Sequence, residues 1–284
     1  MPALGRVKLA KLSALQIESF LAEKAESGRL DGKGGLGPAS VRRLQVTLNK
    51  SLDAAVRKGL LTTNPATLAD KPRLPARDVT EDVWTPDHMA EFLEATKAER
   101  HAALWRVACM TGLRRSELAG LQWGDLDLDS GALSVKRART QVDGVPIVKS
   151  PKTATSRRIV DLDAESVAEL KRWKVVQVAE RLRAGTAWES GDWCFTNEIG
   201  RPWRPDTLTC TFKRRSKAVG LPPTNISGLR HAHSTALLRA GAHPKVVQER
   251  LGHSSIKVTM DIYSSVLPGM QREAVDRLAA MMGG

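Results

Sequence analysis

Between Leu133 and Leu162 the apolar residues change their spacing, a change that no purely helical fold absorbs. On either side they recur every three to four residues. In ALSVKRART (132–140), VPIVK (145–149) and RRIVDL (157–162) they tend towards every second residue. That period predicts three short antiparallel strands. Asp143-Gly144 suits a tight hairpin turn between the first two, and the polar SPKTATS loop joins the second to the third. The expected class is therefore α+β, a mainly helical domain holding a small three-stranded antiparallel sheet.

The helical patterns fall into two groups. SALQIESFLAEKAES (13–27) opens on a Ser cap and places Leu15, Ile17, Phe20, Leu21 and Ala25 largely on one side. A second helix is expected over 39–58, with Val41, Leu44, Leu48, Leu52, Ala55 and Val56 as its apolar face and Gly59 and Asn64-Pro65 beyond its end. DKPRLPARDVTED then follows, rich in Pro and charge and poor in apolar residues. The reading is a small helical unit over 1–70, a linker over 71–83 and a larger domain over 84–284. In the larger domain Thr85-Pro86 caps a helix through Met89, Phe92 and Leu93. Further helices are expected at 101–110, from Arg114, and at 164–183, with the DWCFTNEIGRPW segment (192–203) reading as a loop.

Charge narrows the partner. Lys and Arg number 44 against 31 Asp and Glu, a formal +13, and such an excess points to a polyanion, with nucleic acid foremost. Cys109, Cys194 and Cys210 are odd in number and contain no CxxC pair, so neither a disulfide framework nor a zinc site is indicated. The basic N-terminus lacks a continuous apolar segment, and no stretch approaches about 18 apolar residues. The expectation is a cytoplasmic protein that does not enter a membrane.

Four places at element boundaries carry residues suited to phosphate chemistry. TGLRRSEL puts Arg114 at a helix N-terminus, where free N–H groups already favour an anion. SPKTATSRR puts Lys152 between two strands, and ISGLRHAHSTALL puts Arg230 in the first turn of a helix. In VVQERLGHSSIKVTMDIY an apolar helical pattern stops at Gly252, His253 follows, and Ser254 or Ser255 caps a new helix running to Tyr263, the one tyrosine of the chain.

Together these boxes resemble the tyrosine recombinase, or phage-type integrase, family over roughly residues 84–270. The resemblance implies Arg114, Lys152, Arg230, His253 and Tyr263 as catalytic residues, with Glu117 and Ser227 as supporting positions. It implies a DNA-cutting and DNA-joining enzyme of a mobile element that passes through a 3′-phosphotyrosine link. It implies double-stranded attachment-site DNA as partner, a homotetramer on that DNA, and accessory DNA-bending or directionality proteins. No metal or cofactor is called for: two guanidinium forks and a His donor hold the growing phosphoryl charge. A tyrosine with pKa near 10 is ionised in only about one molecule in a thousand at neutral pH, a handicap of roughly 4 kcal/mol that nearby cations reduce. Lys152 is expected to protonate the leaving 5′ oxygen.

Two departures from the family pattern bear on activity. A histidine is expected three residues before Arg230, where this chain has Ser227, and the acidic residue that usually follows is Gly228. Serine cannot act as an acid or base near neutral pH. The helical unit also begins at about the middle of a core-binding (DNA-clamping) domain. An alternative reading is thus a truncated or impaired integrase that binds attachment-site DNA without completing exchange. At the C-terminal end, Ala274, Val275, Leu278, Ala279 and Met282 form one apolar side of a helix that docks either on a neighbouring protomer or on its own domain.

Overall fold

The computed structural model describes residues 3–70, 83–149, 157–266 and 270–282. Its chain divides into two compact units, Met1–Asp78 and Val79–Gly284.

In the first unit helices α1 (Ala14–Ser27) and α2 (Pro38–Arg57) pack together. Ser13 and Gln16 form a reciprocal capping box: the Gln16 amide donates to Ser13 Oγ at 3.3 Å and the Ser13 amide to Gln16 Oε1 at 3.0 Å. Ile17 and Leu21, one turn apart, are buried with Val41, Leu52 and Ala66. Leu15, expected on the same side, is 71% exposed. It lies two residues from Ile17, about 200° around the helix. After α2, Asn64 turns the chain back: its Nδ2 donates to Asn49 Oδ1 at 2.8 Å and Asp53 Oδ1 at 2.6 Å, and its Oδ1 accepts from the Ala66 amide at 2.9 Å.

The second unit is built around α4 (Ala102–Thr111), which is buried at Ala103, Leu104, Trp105, Val107, Ala108, Cys109 and Thr111. A helix apolar on nearly every side must be enclosed, and α3 (Pro86–Thr96), α6 (Ala164–Ala184) and α8 (Ile226–Arg239) pack on it. Trp84, Phe92, Trp105 and Phe212 form its aromatic heart, with ring centroids 5.2 to 6.0 Å apart in tilted or edge-on pairs. Such pairs add roughly 0.5–1.5 kcal/mol each beyond area burial. Helices α7 (Pro205–Val219), α9 (Pro244–Leu251), α10 (Ile256–Val266) and α11 (Met270–Met281) complete the unit, and α5 (Arg115–Leu118) is a single turn.

The three-stranded antiparallel sheet is present, with a different membership from the one expected. Its order is β1 (Leu126–Asp127), β2 (Ala132–Val135), β5 (Arg158–Asp161), with Leu126 opposite Leu133 and Leu133 opposite Val160. ALSVKRART, read as one strand, breaks at Lys136-Arg137, and its second half, β3 (Ala138–Val142), pairs with β4 (Val145–Lys149) in a separate hairpin. The break has an electrostatic cause. Buried Asp125 draws Arg137 into an ion pair and Lys136 Nζ to 3.5 Å, so the two cations leave the strand line. The hairpin turn at Asp143-Gly144 has φ of 49° and 81°, the left-handed pair that a two-residue turn requires.

The segment 192–203 has little regular structure, as expected, yet it belongs to the core. Cys194 and Phe195 are buried, and Trp173 Nε1 donates to the Cys194 carbonyl at 2.7 Å. Cys109 is buried as well, and Cys210 is exposed. Among the described residues no helix is long and apolar enough to cross a membrane.

Candidate active site

The end of α9 organises the site. Gly252 takes φ of 65°, and the His253 amide reaches back to the Gln248 carbonyl at 3.1 Å, closing the helix with a left-handed cap. A helix C-terminus leaves carbonyls without intrahelical partners and carries the negative end of the dipole. Here three consecutive carbonyls each accept from a different arginine. Arg158 Nε donates to the Arg250 carbonyl at 2.7 Å, Arg230 Nη2 to that of Leu251 at 2.6 Å, and Arg114 Nη2 to that of Gly252 at 3.0 Å. Elements far apart in sequence thereby converge beside His253.

Each arginine is positioned by local structure. Arg230 lies in the first turns of α8, only 8% exposed, and its Nη1 also donates to the Gly112 carbonyl at 2.8 Å. Burial and the neighbouring Arg114 lower its pKa to about 9, so it stays charged at neutral pH. Arg114 is the N-cap of α5. Buried Glu117 accepts from its amide and its Nη1, both at 2.8 Å, and from Arg158 Nη2 at 2.9 Å and Nη1 at 3.2 Å. Burial alone would raise the Glu117 pKa, but Arg158 and Arg114 outweigh it and hold the carboxylate below its ordinary value. Glu117 thus holds two arginines in place. The neighbouring Arg115 pairs instead with Asp206 Oδ1, at 3.0 Å, on α7.

His253 Nδ1 lies 2.9 Å from Thr259 Oγ1, which is fully buried on α10. Burial, Arg230 and Arg114 lower the imidazole pKa to about 4, so it is neutral at pH 7. Of the two candidate serines, Ser255 caps α10: its Oγ accepts from the Lys257 amide at 3.2 Å. Tyr263 falls within α10, one turn beyond Thr259 and so at a position on the same helical face; its side chain lies outside the described part of the structure. Lys152 lies outside the described residues. Ser227 is exposed in the first turn of α8, its amide donating to Asn225 Oδ1 at 2.9 Å. At Gly228 a Cβ would fall 2.0 Å from Thr224 Oγ1, so the Thr224 side chain fills the space that a larger residue there would need.

Sequence reasoning missed two residues of this network. Arg158 shares the inward face of β5 with buried Val160, two residues on, so strict alternation already marks it as a buried charge in need of partners. Arg250 joins the network from behind. Its Nη2 donates to the Met110 and Asp161 carbonyls, each at 3.0 Å, and its Nε to His233 Nε2 at 3.2 Å. His233 itself is buried. Gly112, φ 61°, ends α4 where these elements meet. A Cβ there would fall 2.7 Å from Leu251 Cδ2 and 2.9 Å from His233 Cδ2.

Residues 83–269 match the phage integrase family. The chain belongs to that family. Among relatives of this integrase-family protein, the ICEBs1 integrase of Bacillus subtilis is 30% identical over 86% of the chain, which spans 66% of that protein's length. A tyrosine recombinase XerC-like protein of Caldanaerobacter subterraneus is 29% identical over 96% of the chain and 72% of its own length. The fold is shared with the Tn1549 transposon integrase solved with transposon right end DNA: TM-score 0.76, 23% identity, 94% of this chain and 86% of that one. A lambda integrase dimer bound to a COC' core site has TM-score 0.63 at 21% identity, covering 92% and 83%.

Proposed function

We propose that this protein is a site-specific DNA recombinase of a mobile element, which cuts and rejoins DNA strands through a 3′-phosphotyrosine at Tyr263. The observation that carries the reading is the convergence of Arg114 and Arg230 on adjacent carbonyls beside His253. The bonds described occupy two of the five N–H donors of each guanidinium, and the others are available to a phosphoryl group. Family membership and relatives named as integrases of ICEBs1 and a transposon support the mobile-element assignment.

In this reading the scissile phosphate lies among Arg114, Arg230 and His253. As the Tyr263 oxygen attacks phosphorus, charge grows on the non-bridging oxygens, and the preset guanidinium donors stabilise it without reorganising. Glu117 and Arg158 keep Arg114 in place. Lys152 protonates the departing 5′ oxygen. One ester replaces another, so the link is reversible onto a second strand without an external energy source. Residues 1–70 clamp the DNA, residues 84–284 carry the chemistry, and four protomers assemble on two cytoplasmic duplexes, with α11 docking on a neighbour.

The exposed hydroxyl of Ser227 favours one second reading, a protein that occupies its site without completing exchange. Loss of an imidazole there would cost about 10²- to 10⁴-fold in rate. A nicked suicide substrate carrying the attachment site separates the two. A covalent adduct that disappears in Tyr263→Phe establishes the enzyme, since the chain has one tyrosine. Salt-sensitive binding with no adduct establishes the binding protein.

A further inference from the structure

A neutral imidazole carries one proton, and the nitrogen that holds it is set by the hydrogen bond the other nitrogen makes. His253 is neutral at pH 7, and its Nδ1 faces Thr259, so Nε2 is the nitrogen left for the site. With the proton on Nε2 the ring can donate to a phosphoryl oxygen. With the proton on Nδ1 it would turn a lone pair towards that oxygen.

Thr259 decides between the two. A threonine within a helix commonly gives its hydroxyl proton to the carbonyl four residues earlier. Thr96 and Thr111 do so, donating to the carbonyls of Phe92 at 2.8 Å and Val107 at 2.5 Å. Thr259 is fully buried, and among the described residues its Oγ1 has a different partner, His253 Nδ1 at 2.9 Å. A buried hydroxyl proton without an acceptor is costly, and the acceptor at hand is the Nδ1 lone pair. The Thr259 proton therefore points at Nδ1, and the imidazole proton falls to Nε2.

The same bond fixes the ring. Gln248 holds the His253 backbone at both ends, its carbonyl accepting from the His253 amide and its Nε2 donating to the His253 carbonyl. Rotation about Cβ–Cγ remains, and a half-turn there exchanges Nδ1 with Cδ2 and Nε2 with Cε1. A hydroxyl donor distinguishes nitrogen from carbon and excludes the flipped ring. On α10, Ile256, Val258 and Met260 are exposed, whereas Ile262 packs on the cluster of Leu238, Val247 and Leu251. Thr259 thus lies on the inward side of its helix.

We infer that Thr259 is a positioning residue: its hydroxyl donates to His253 Nδ1, so that the ring presents Nε2–H to the scissile phosphate. This inference rests on the proposed recombinase chemistry. Thr259 acts through His253.

The test is a double-mutant cycle, read as the single-turnover rate of adduct formation on the suicide substrate at saturating protein, with DNA affinity measured in parallel. Thr259→Val replaces the hydroxyl by a methyl group of similar size. It is expected to slow the adduct about tenfold with affinity unchanged, and Thr259→Ser to keep most of the rate. In a His253→Ala background Thr259→Val is expected to slow the adduct no further, whereas a residue that only anchors α10 would cost the same with or without the imidazole. Full rate in Thr259→Val, or an equal loss in both backgrounds, would overturn the inference. Long-range proton–nitrogen NMR of the full chain, with the ring assigned against His253→Ala, reads the tautomer directly. Nε2 protonated and Nδ1 bare is expected; a proton on Nδ1 would overturn the inference while the adduct of the unsubstituted protein upholds the recombinase reading. No adduct from the unsubstituted protein would overturn that reading, and the inference with it.

Discussion

Two buried carboxylates in the second unit are each clamped by two cations. Glu117 is held by Arg114 and Arg158, and Asp125 by Arg137 and Lys136. The acids are nearly equally buried, at 7% and 5% exposure. What differs is where the cations' other donors go. Arg114 and Arg158 continue to the carbonyls of Gly252 and Arg250 beside His253, whereas Lys136 Nζ continues to the carbonyl of Gly124, next to Asp125 itself. The same electrostatic device shapes the proposed phosphate site in one case and a sheet boundary in the other. A buried ion pair therefore says little about function until the remaining hydrogen bonds of its members are followed.

Substitutions at the two acids should separate these roles. Glu117→Ala removes the buried carboxylate that neutralises Arg158, whose side chain is 5% exposed, and the expected cost is about 3–5 kcal/mol of stability. Adduct formation per folded molecule should also fall, because Arg114 loses its support. Asp125→Ala leaves Arg137 and Lys136 at 23% and 52% side-chain exposure, able to reach water. Its cost should be nearer about 1.5–3 kcal/mol, with cleavage per folded molecule unchanged. Urea denaturation with single-turnover cleavage measures both; equal effects on cleavage would break the comparison.

A smaller effect is expected on acidification. His233 accepts from Arg250 only as the neutral ring, and burial with the Arg250 charge lowers its pKa from 6.5 to about 4. A group whose folded pKa is depressed contributes its full stability above the unfolded value and loses it as pH falls towards the folded value. Stability should thus decline between pH 6.5 and 4. His233→Gln should reduce the proton uptake on unfolding in that window by about one, as read from denaturation midpoints against pH. The smallest effect belongs to Arg115→Ala, which removes an exposed pair with Asp206 at an expected cost of under about 1 kcal/mol and with cleavage intact.

Much of this site is legible in the sequence because its residues stand at element boundaries, which caps and glycines mark locally. Gly252 ends α9 and Ser255 begins α10 where residue chemistry places them. Arg114 and Arg230 occur in boxes whose order matches a known family. The break of ALSVKRART between two sheets was not legible, since it depends on Asp125, a residue outside the strand. Arg158 escaped for a related reason. Its partners, Glu117 and the Arg250 carbonyl, lie 41 and 92 residues away, and only the inward half of the β5 alternation hints at them.

The central claim is that the guanidiniums gathered at the end of α9 hold the scissile phosphate in the transition state. Arg230→Lys on the suicide substrate, at protein concentrations that saturate the DNA, tests it most directly. Lysine keeps the charge but loses the planar fork that reaches both carbonyls and a phosphate. The expected result is intact DNA binding with adduct formation at Tyr263 slowed about 100-fold or more; adduct formation at the unsubstituted rate would contradict the claim.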